Sequence, residues 1–205
     1  MKLDVLDHPR LALRHFEVEL PRPLGELVTP PWLAELLRPG AAAPLSPPDG
    51  LRAAVRDLLR GHGYRPTGRG KPSSEYLAAA AADGRLGPIN AVVDIGNAVS
   101  LHSGLPISVV DLDACTPPLR VDLPAPGTRY VFNRSGQEID VGGLLSLCDA
   151  EGPCANAVKD AQRTKTGEAT RRVLVIVWGT TAPAGHAEAT AAWAEELFGR
   201  LQTDL

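Results

Sequence analysis

The chain has 205 residues, enough to bury a sizeable core as one large domain or as a domain with an extension. Hydrophobic residues make up 44% and charged residues 22%, and the net charge of −3 excludes a global electrostatic pull toward nucleic acid, so any RNA partner must be met by a local basic patch. Aromatic residues, at 4%, are too few for a surface that stacks many bases.

The N-terminal stretch MKLDVLDHPRLALRHFEVELP carries acids and a histidine within its apolar positions, which does not fit a signal peptide, and no 18-residue apolar run follows that would span a membrane. A cytoplasmic protein is the expectation. Residues 15–20, HFEVEL, alternate in the manner of a strand that Pro21 and Pro23 end. A short helix over about 31–38 can start from Thr29-Pro-Pro, and the Pro- and Ala-rich stretch from Pro39 to Pro48 reads as a linker or surface loop. Asp49 is placed to cap a helix over about 50–61 with Leu51, Val55, Leu58 and Leu59 on one face. Arg52, Arg56 and Arg60 recur on another face, either as a solvated stripe or as a track for phosphates. Ser73 or Ser74 can cap a helix over about 74–82. A further helix follows within 88–104, with Ile89, Val92, Val93, Gly96, Val99 and Leu101 available to pack inward. On it Asn90, Asp94 and Asn97 form one polar line, which must face either solvent or a polar cavity, because burial without partners is costly.

The second half reads as short strands at 107–112, 119–123, 129–132, 138–141 and 144–147, each bounded by Gly, Pro or Asn. Val173–Trp178 is a continuous apolar run, the pattern of a central strand, and a helix over about 185–201 turns Ala189, Ala192, Trp193, Leu197 and Leu201 toward the sheet. Helices first, strands in the middle, then strand and helix is an α+β order rather than a βαβ repeat. Cys115, Cys148 and Cys154 are an odd set without paired CxxC spacing, which argues against a disulfide framework and against zinc, although Cys148 and Cys154 can meet across a hairpin.

No phosphate-binding glycine loop, zinc-protease helix or nucleophile elbow occurs, and the five histidines lack ligand-like spacing. No metal or cofactor is expected. His102, at the end of its helix, suits either a capping role or a substrate contact. Asp111 and Asp113, alternate on a strand, mark its solvent side or a carboxylate pair. The densest polar run is ANAVKDAQRTKTG, residues 155–167, placed almost directly before the apolar strand. Three of the four lysines, Lys71, Lys159 and Lys165, fall in this run or in the KPSSEYL segment.

The elements RP…KPSSEYL…LGPINAVVDIGNAVSLHSGLPISVVDLD, followed by GG…C…ANAVKDAQRTK, resemble the B3/B4 domain found in the β subunit of bacterial phenylalanyl-tRNA synthetase, and more closely its freestanding form. The resemblance runs from about Tyr64 to Thr170. It implies a layered β/β/α domain over 49–205, with helices on one side of a mainly antiparallel sheet, and residues 1–48 as an extension packed on it. In the synthetase the domain hydrolyses tyrosine wrongly esterified to its tRNA. The freestanding form is accordingly expected to be a trans-editing deacylase of mischarged aminoacyl-tRNA. The alternative is a non-catalytic module that binds tRNA 3′ ends or a small amino-acid-like ligand. If residues 155–167 are helical, Asn156, Lys159, Asp160 and Arg163 share one face, either as a structural ion-pair network or as a ligand site. In the second case the two cations meet the phosphate and ribose of a tRNA 3′ end, Asp160 orients them, Asn156 holds water or the ester carbonyl, and Thr164 completes the set. Asn97 is the expected partner across a cleft.

Overall fold

The computed structural model describes residues 2–204. Its elements, in chain order, are β1 (Asp4–Val5), β2 (Arg14–Glu19), α1 (Pro31–Leu36), α2 (Leu51–Leu59), α3 (Ser73–Ala82), α4 (Ala91–Ser103), β3 (Ile107–Asp111), β4 (Arg120–Asp122), β5 (Arg129–Val131), β6 (Glu138–Asp140), β7 (Ser146–Asp149), β8 (Gly152–Asn156), β9 (Arg172–Val177) and α5 (His186–Thr203). The fold is α+β. None of the described helices is long and apolar enough to cross a membrane.

Strand β9 is the centre. It pairs antiparallel with β2 on one edge, Arg14 opposite Val177 through Glu19 opposite Arg172, and antiparallel with β3 on the other. Strand geometry sends alternate side chains to opposite faces. Val173 and Val175 enter a cluster with Val92, Ile95 and Val99 of α4 and Trp193, Leu197 and Phe198 of α5. Leu174, Ile176 and Trp178 enter a second cluster with Val121, Leu147 and Ala155 from the sheet β1-β4-β7-β8. The layers are therefore helices, a three-stranded sheet and a four-stranded sheet. A separate hairpin, β5–β6, stands beside them. Residues before 49 contribute β1, parallel to β4, the edge strand β2, and α1, whose Leu33 is fully buried in the helical layer.

Local chemistry departs from the sequence expectations at identifiable places. Gly50, not Asp49, is the N-cap of α2, and Pro72, not a serine, is that of α3; neither makes a side-chain cap bond. Asn90 does cap α4, accepting from Val93 N at 3.0 Å, so this helix begins later than the apolar pattern and leaves Ile89 exposed. Helix α5 is rotated from the expected face: Ala187, Ala191, Ala194 and Phe198 are buried with Trp193, Leu197 and Leu201, while Ala189 and Ala192 point outward. His102 is buried; its Nε2 meets Leu36 O at 2.8 Å and its ring packs edge-on against Trp193, which ties α1 to α4 and α5. Asp113 pairs with Arg172, and Asp111 accepts from Thr170 Oγ1 and from Asp113 N, so these two acids serve the turn after β3. All three cysteines are thiols, with Cys148 and Cys154 on the paired strands β7 and β8.

Gly179, directly after β9 and Trp178, lies where the N-terminal segment and α5 close on the sheet. A Cβ there would stand 2.4 Å from Ala12 O and 2.4 Å from Ala187 Cβ, and Ala12 is itself held by a backbone bond to Gly179 O. Gly179→Ala is expected to cost about 2–3 kcal/mol and to lower the melting temperature by about 5–10 °C. Gly199→Ala, in α5 with open space around the added methyl, is expected to leave stability unchanged or raise it by up to about 1 kcal/mol. Thermal melts of both variants check the pair.

Candidate functional site

Several hollows of about 460–520 Å³ indent the surface, two of them sharing Tyr76 of α3 in their walls. One, of about 520 Å³, lies between α2 and α3, with Leu51, Val55, Pro72, Ala78 and Ala79 among its walls. Its carboxylate, Glu75, is already committed: Arg56 Nε and Nη2 grip it at 2.6 and 2.7 Å and Arg52 adds a third contact at 2.8 Å. Burial works to raise the Glu75 carboxyl pKa, but the hydrogen bonds from Arg56 and Arg52 more than offset this and hold it below the usual range. The arginine stripe on α2 is thus a clamp between helices, with Arg60 paired to Asp57.

The other hollow, a cleft of about 510 Å³, opens between α4, the start of α3, β3 and the turn that follows β8. Its apolar wall is made by Leu77, Val93, Ile107, Val109 and Val158, and its polar side by Asn97, Lys159, Asp160, Lys165 and Thr166. Apolar walls with a few convergent polar groups are the usual make-up of a small-ligand site.

The turn is built by its own side chains. Strand β8 ends at Asn156, whose Oδ1 accepts from Val158 N at 2.9 Å and Lys159 N at 3.0 Å. Asp160 Oδ1 reaches back to accept from Asn156 N at 3.1 Å. These bonds satisfy the backbone groups that a helix would have used, so residues 157–161 form a loop, closed by Ala161 N to Cys154 O and followed by a single 3-10 turn at Gln162–Thr164. The helix expected over this run does not form, and the shared helical face goes with it. Ser73 N bonds Ala157 O at 2.9 Å, which joins the loop to the head of α3.

Asp160 is the distinctive group. Its Oδ1 also accepts from the buried Ser108 hydroxyl at 2.8 Å, and Ser108 Oγ accepts from Trp178 Nε1 at 2.9 Å. A chain of hydrogen bonds therefore runs from the core indole to the carboxylate. Asp160 Oδ2 has no protein partner among the described residues, and none of their buried side-chain oxygens or nitrogens lacks one, so Oδ2 is the oxygen open to solvent in the cleft. Burial raises the carboxyl pKa to about 6; the bonds from Ser108 and Asn156 and the charge of Lys165 oppose that rise only in part.

The structure gathers Asn97, Lys159 and Asp160 at one cleft. It does not bring Asn156, Arg163 or Thr164 there. Asn156 is buried and spent within the loop, its Nδ2 donating to the Tyr130 hydroxyl, which donates onward to Lys159 O. Thr164 is buried with Oγ1 donating to Cys154 O at 3.1 Å. Arg163 turns away to grip Asp149 through its two terminal guanidinium nitrogens, at 2.7 Å each. Asp160 orients neither Lys159 nor Arg163, since its partners are a hydroxyl and an amide. The polar line on α4 divides likewise: Asn90 lines the cleft but spends its Oδ1 on the cap, buried Asp94 accepts from Thr29 Oγ1 and Ile89 N, and Asn97 lines the cleft without a capping role. Sequence reasoning missed Ser108 and Lys165 as site residues. Ser108 had a signal, being the one hydroxyl on the inward face of an otherwise apolar strand. Lys165 reaches the cleft through a lone bridge to Val110 on the free edge of β3, which spacing does not disclose.

A family model described as the B3/4 domain matches residues 65–187. No curated protein gives a significant match. Among solved structures, the N-terminal fragment of the phenylalanyl-tRNA synthetase β subunit from Pyrococcus horikoshii is similar at a TM-score of 0.42 and 14% identity, over 53% of this chain and 40% of that one. This chain thus spans less than half of that fragment.

The Arg163–Asp149 pair is a stability element. Burial works to raise the Asp149 carboxyl pKa, but Arg163 and the amides of Thr116 and Glu151 outweigh it and hold the group below its usual range. That contribution is present above the unfolded carboxyl value of about 3.9 and is lost as pH falls through the depressed folded value. Arg163→Ala leaves a fully buried carboxylate with only two amide donors and is expected to cost about 2 kcal/mol at neutral pH. Denaturant titrations from pH 7 downward check this, with the gap between the variant and the parent protein narrowing in acid.

Proposed function

The chain belongs to the B3/4 domain family, and on that footing we propose that its cleft hydrolyses an aminoacyl ester, the mischarged 3′ end of a tRNA. The observation that carries this reading is the meeting in one solvent-open cleft of a carboxylate with a free oxygen, an amide and ammonium groups beside an apolar wall. The resemblance of the sequence to the synthetase editing domain supplies the substrate class.

An aminoacyl ester is already activated, so its hydrolysis needs a positioned water, a donor for the developing oxyanion and no protein nucleophile. Asp160 Oδ2 takes the water. As the water oxygen bonds to the ester carbonyl carbon, its proton passes to the carboxylate. Asn97 and the Lys159 ammonium stabilise charge growing on the carbonyl oxygen. The C–O bond to the ribose then breaks, and the ribose oxygen recovers the proton from Asp160, releasing free amino acid and deacylated tRNA. Leu77, Val93, Ile107 and Val109 receive an apolar or aromatic acyl side chain. Ser108 acts as a positioning residue, holding Oδ1 so that Oδ2 faces the cleft.

A panel of mischarged tRNAs tests the reading. Turnover is expected with at least one pair, and its rate constant should rise with pH through about 6, as the Asp160 carboxylate forms, and then level. Asp160→Asn should lower kcat about 10²–10³-fold with KM little changed and abolish that inflection. The same group gives a readout independent of activity. Because its folded value lies above its unfolded value of about 3.9, it favours folding below about pH 4, and that contribution is lost as pH rises through about 6. The Asn variant should lack this loss. No turnover on any pair would sink the catalytic reading, and tight, salt-sensitive binding of tRNA ends without hydrolysis would recast the protein as a binding module.

A further inference from the structure

Beside the cleft lies a recess of about 480 Å³, and the two share a lip. Lys159 lines both hollows, Arg69 lines the recess and Lys165 lines the cleft. Phe132 brings the two lysines together: Lys159 Nζ stands 4.1 Å from its ring centroid, and Lys165 Nζ donates to its carbonyl at 2.6 Å. Among the described residues none of these three cations has an ion-pair partner. Arg52, Arg56 and Arg163, by contrast, are all paired.

The acids around the lip are engaged elsewhere. Glu138 pairs with Arg129, Asp140 accepts from Gly142 N, and Asp160 accepts from Ser108 and Asn156. Burial, with Arg69 and Lys165 alongside, lowers the Lys159 ammonium pKa, and burial does the same to Lys165 with Asp160 partly opposing. Three cations gathered on one lip, none of them in an ion pair with the carboxylates of Glu138, Asp140 and Asp160 that share the two hollows, repel one another, and a bound anion between them relieves that repulsion. An arginine fork beside two ammonium groups matches the several acceptor oxygens of a phosphate better than a carboxylate.

We propose that Arg69, Lys159 and Lys165 form a phosphate site on this lip, filled by the 5′-phosphate of a nucleotide whose 2′/3′ hydroxyl end enters the cleft. The assignment rests on the reading of the cleft as an ester site. It places the nucleotide across the lip, with the ribose on the cleft side and the phosphate over Phe132, where Lys159, Lys165 and Arg69 approach one another.

The test titrates the full chain, by calorimetry or NMR, with adenosine monophosphate, adenosine, inorganic phosphate and a short RNA ending in CCA, each at two salt concentrations. Adenosine monophosphate should bind at least about tenfold more tightly than adenosine. Arg69→Gln and Lys165→Gln should each weaken it about 3–10-fold, and each should reduce the salt slope for the RNA by about one. Arg69 is exposed and makes no side-chain hydrogen bond or ion pair among the described residues, so Arg69→Gln should melt like the parent protein, whereas Lys165→Gln also gives up the bond to Phe132 O, and a melt of each variant separates a loss of fold from a loss of binding. RNA binding more tightly than inorganic phosphate assigns the site to a nucleic-acid backbone; inorganic phosphate binding as tightly as the RNA keeps the anion site and removes the nucleotide from it. Equal binding of adenosine and its monophosphate, or variants that bind the monophosphate as the parent does, would overturn the proposal. Its failure is separable from that of the catalytic reading: charge-dependent binding without turnover sinks only the chemistry, and turnover with an unchanged KM in Arg69→Gln sinks only the phosphate site.

Discussion

The side chains of β9 leave the strand alternately toward a helical layer and toward a second sheet, and none from Val173 to Val177 is reached by solvent. A strand buried on both faces requires two separate coverings. Helices α4 and α5 supply one and the sheet β1-β4-β7-β8 supplies the other. Full burial of each valine, leucine or isoleucine is worth about 1.5–3 kcal/mol, so this one strand anchors a large part of the hydrophobic stabilisation. It also fixes the site. Strand β3 is held in register along β9, so Ile107 and Val109 face the helices and the cleft, while Ser108, between them, faces inward beneath Asp160.

The same residue types serve two different ends around the cleft. Asn156 and Asp160 look alike in the sequence, two short polar side chains four positions apart. Asn156 is consumed by the turn, because both its amide groups find partners within reach. Asp160 spends one oxygen on the turn and keeps the other. The difference lies in Ser108 and in the lack, among the described residues, of an ion-pair partner, so that burial outweighs the bonds from Ser108 and Asn156 and the charge of Lys165 in setting its proton affinity. Arg163 shows the converse. A guanidinium is costly to leave half-buried and unpaired, and Asp149 lies fully buried within its reach.

What the sequence made legible follows from period and composition. The unbroken apolar run 173–178, the alternation before Pro21 and the apolar face of α2 all mark elements that the molecule contains, and the family resemblance supplied their layered arrangement. The polar run 155–167 was legible as a cluster near the core but not in shape, because helical spacing is also compatible with a loop whose side chains bond its own amides. Asn97, Lys159 and Asp160 reach one cleft through tertiary placement of α4 against that loop. Lys165 and Ser108 entered by pairing with β3 and through the indole of Trp178, neither of which leaves a local pattern. The rotated face of α5 has a simpler cause: alanines surround it, and small side chains define a buried stripe weakly.

The indole that donates to Ser108 has a further significance. Trp178 is sealed in the core between the two sheets, yet two hydrogen bonds separate it from a carboxylate at the surface of the cleft. Loss or gain of a proton on Asp160 changes the charge at the end of that chain and so the polarisation of the ring nitrogen. The ionisation of Asp160 is thereby coupled, through two hydrogen bonds, to the surroundings of an indole sealed in the core, one of the three tryptophans of the chain.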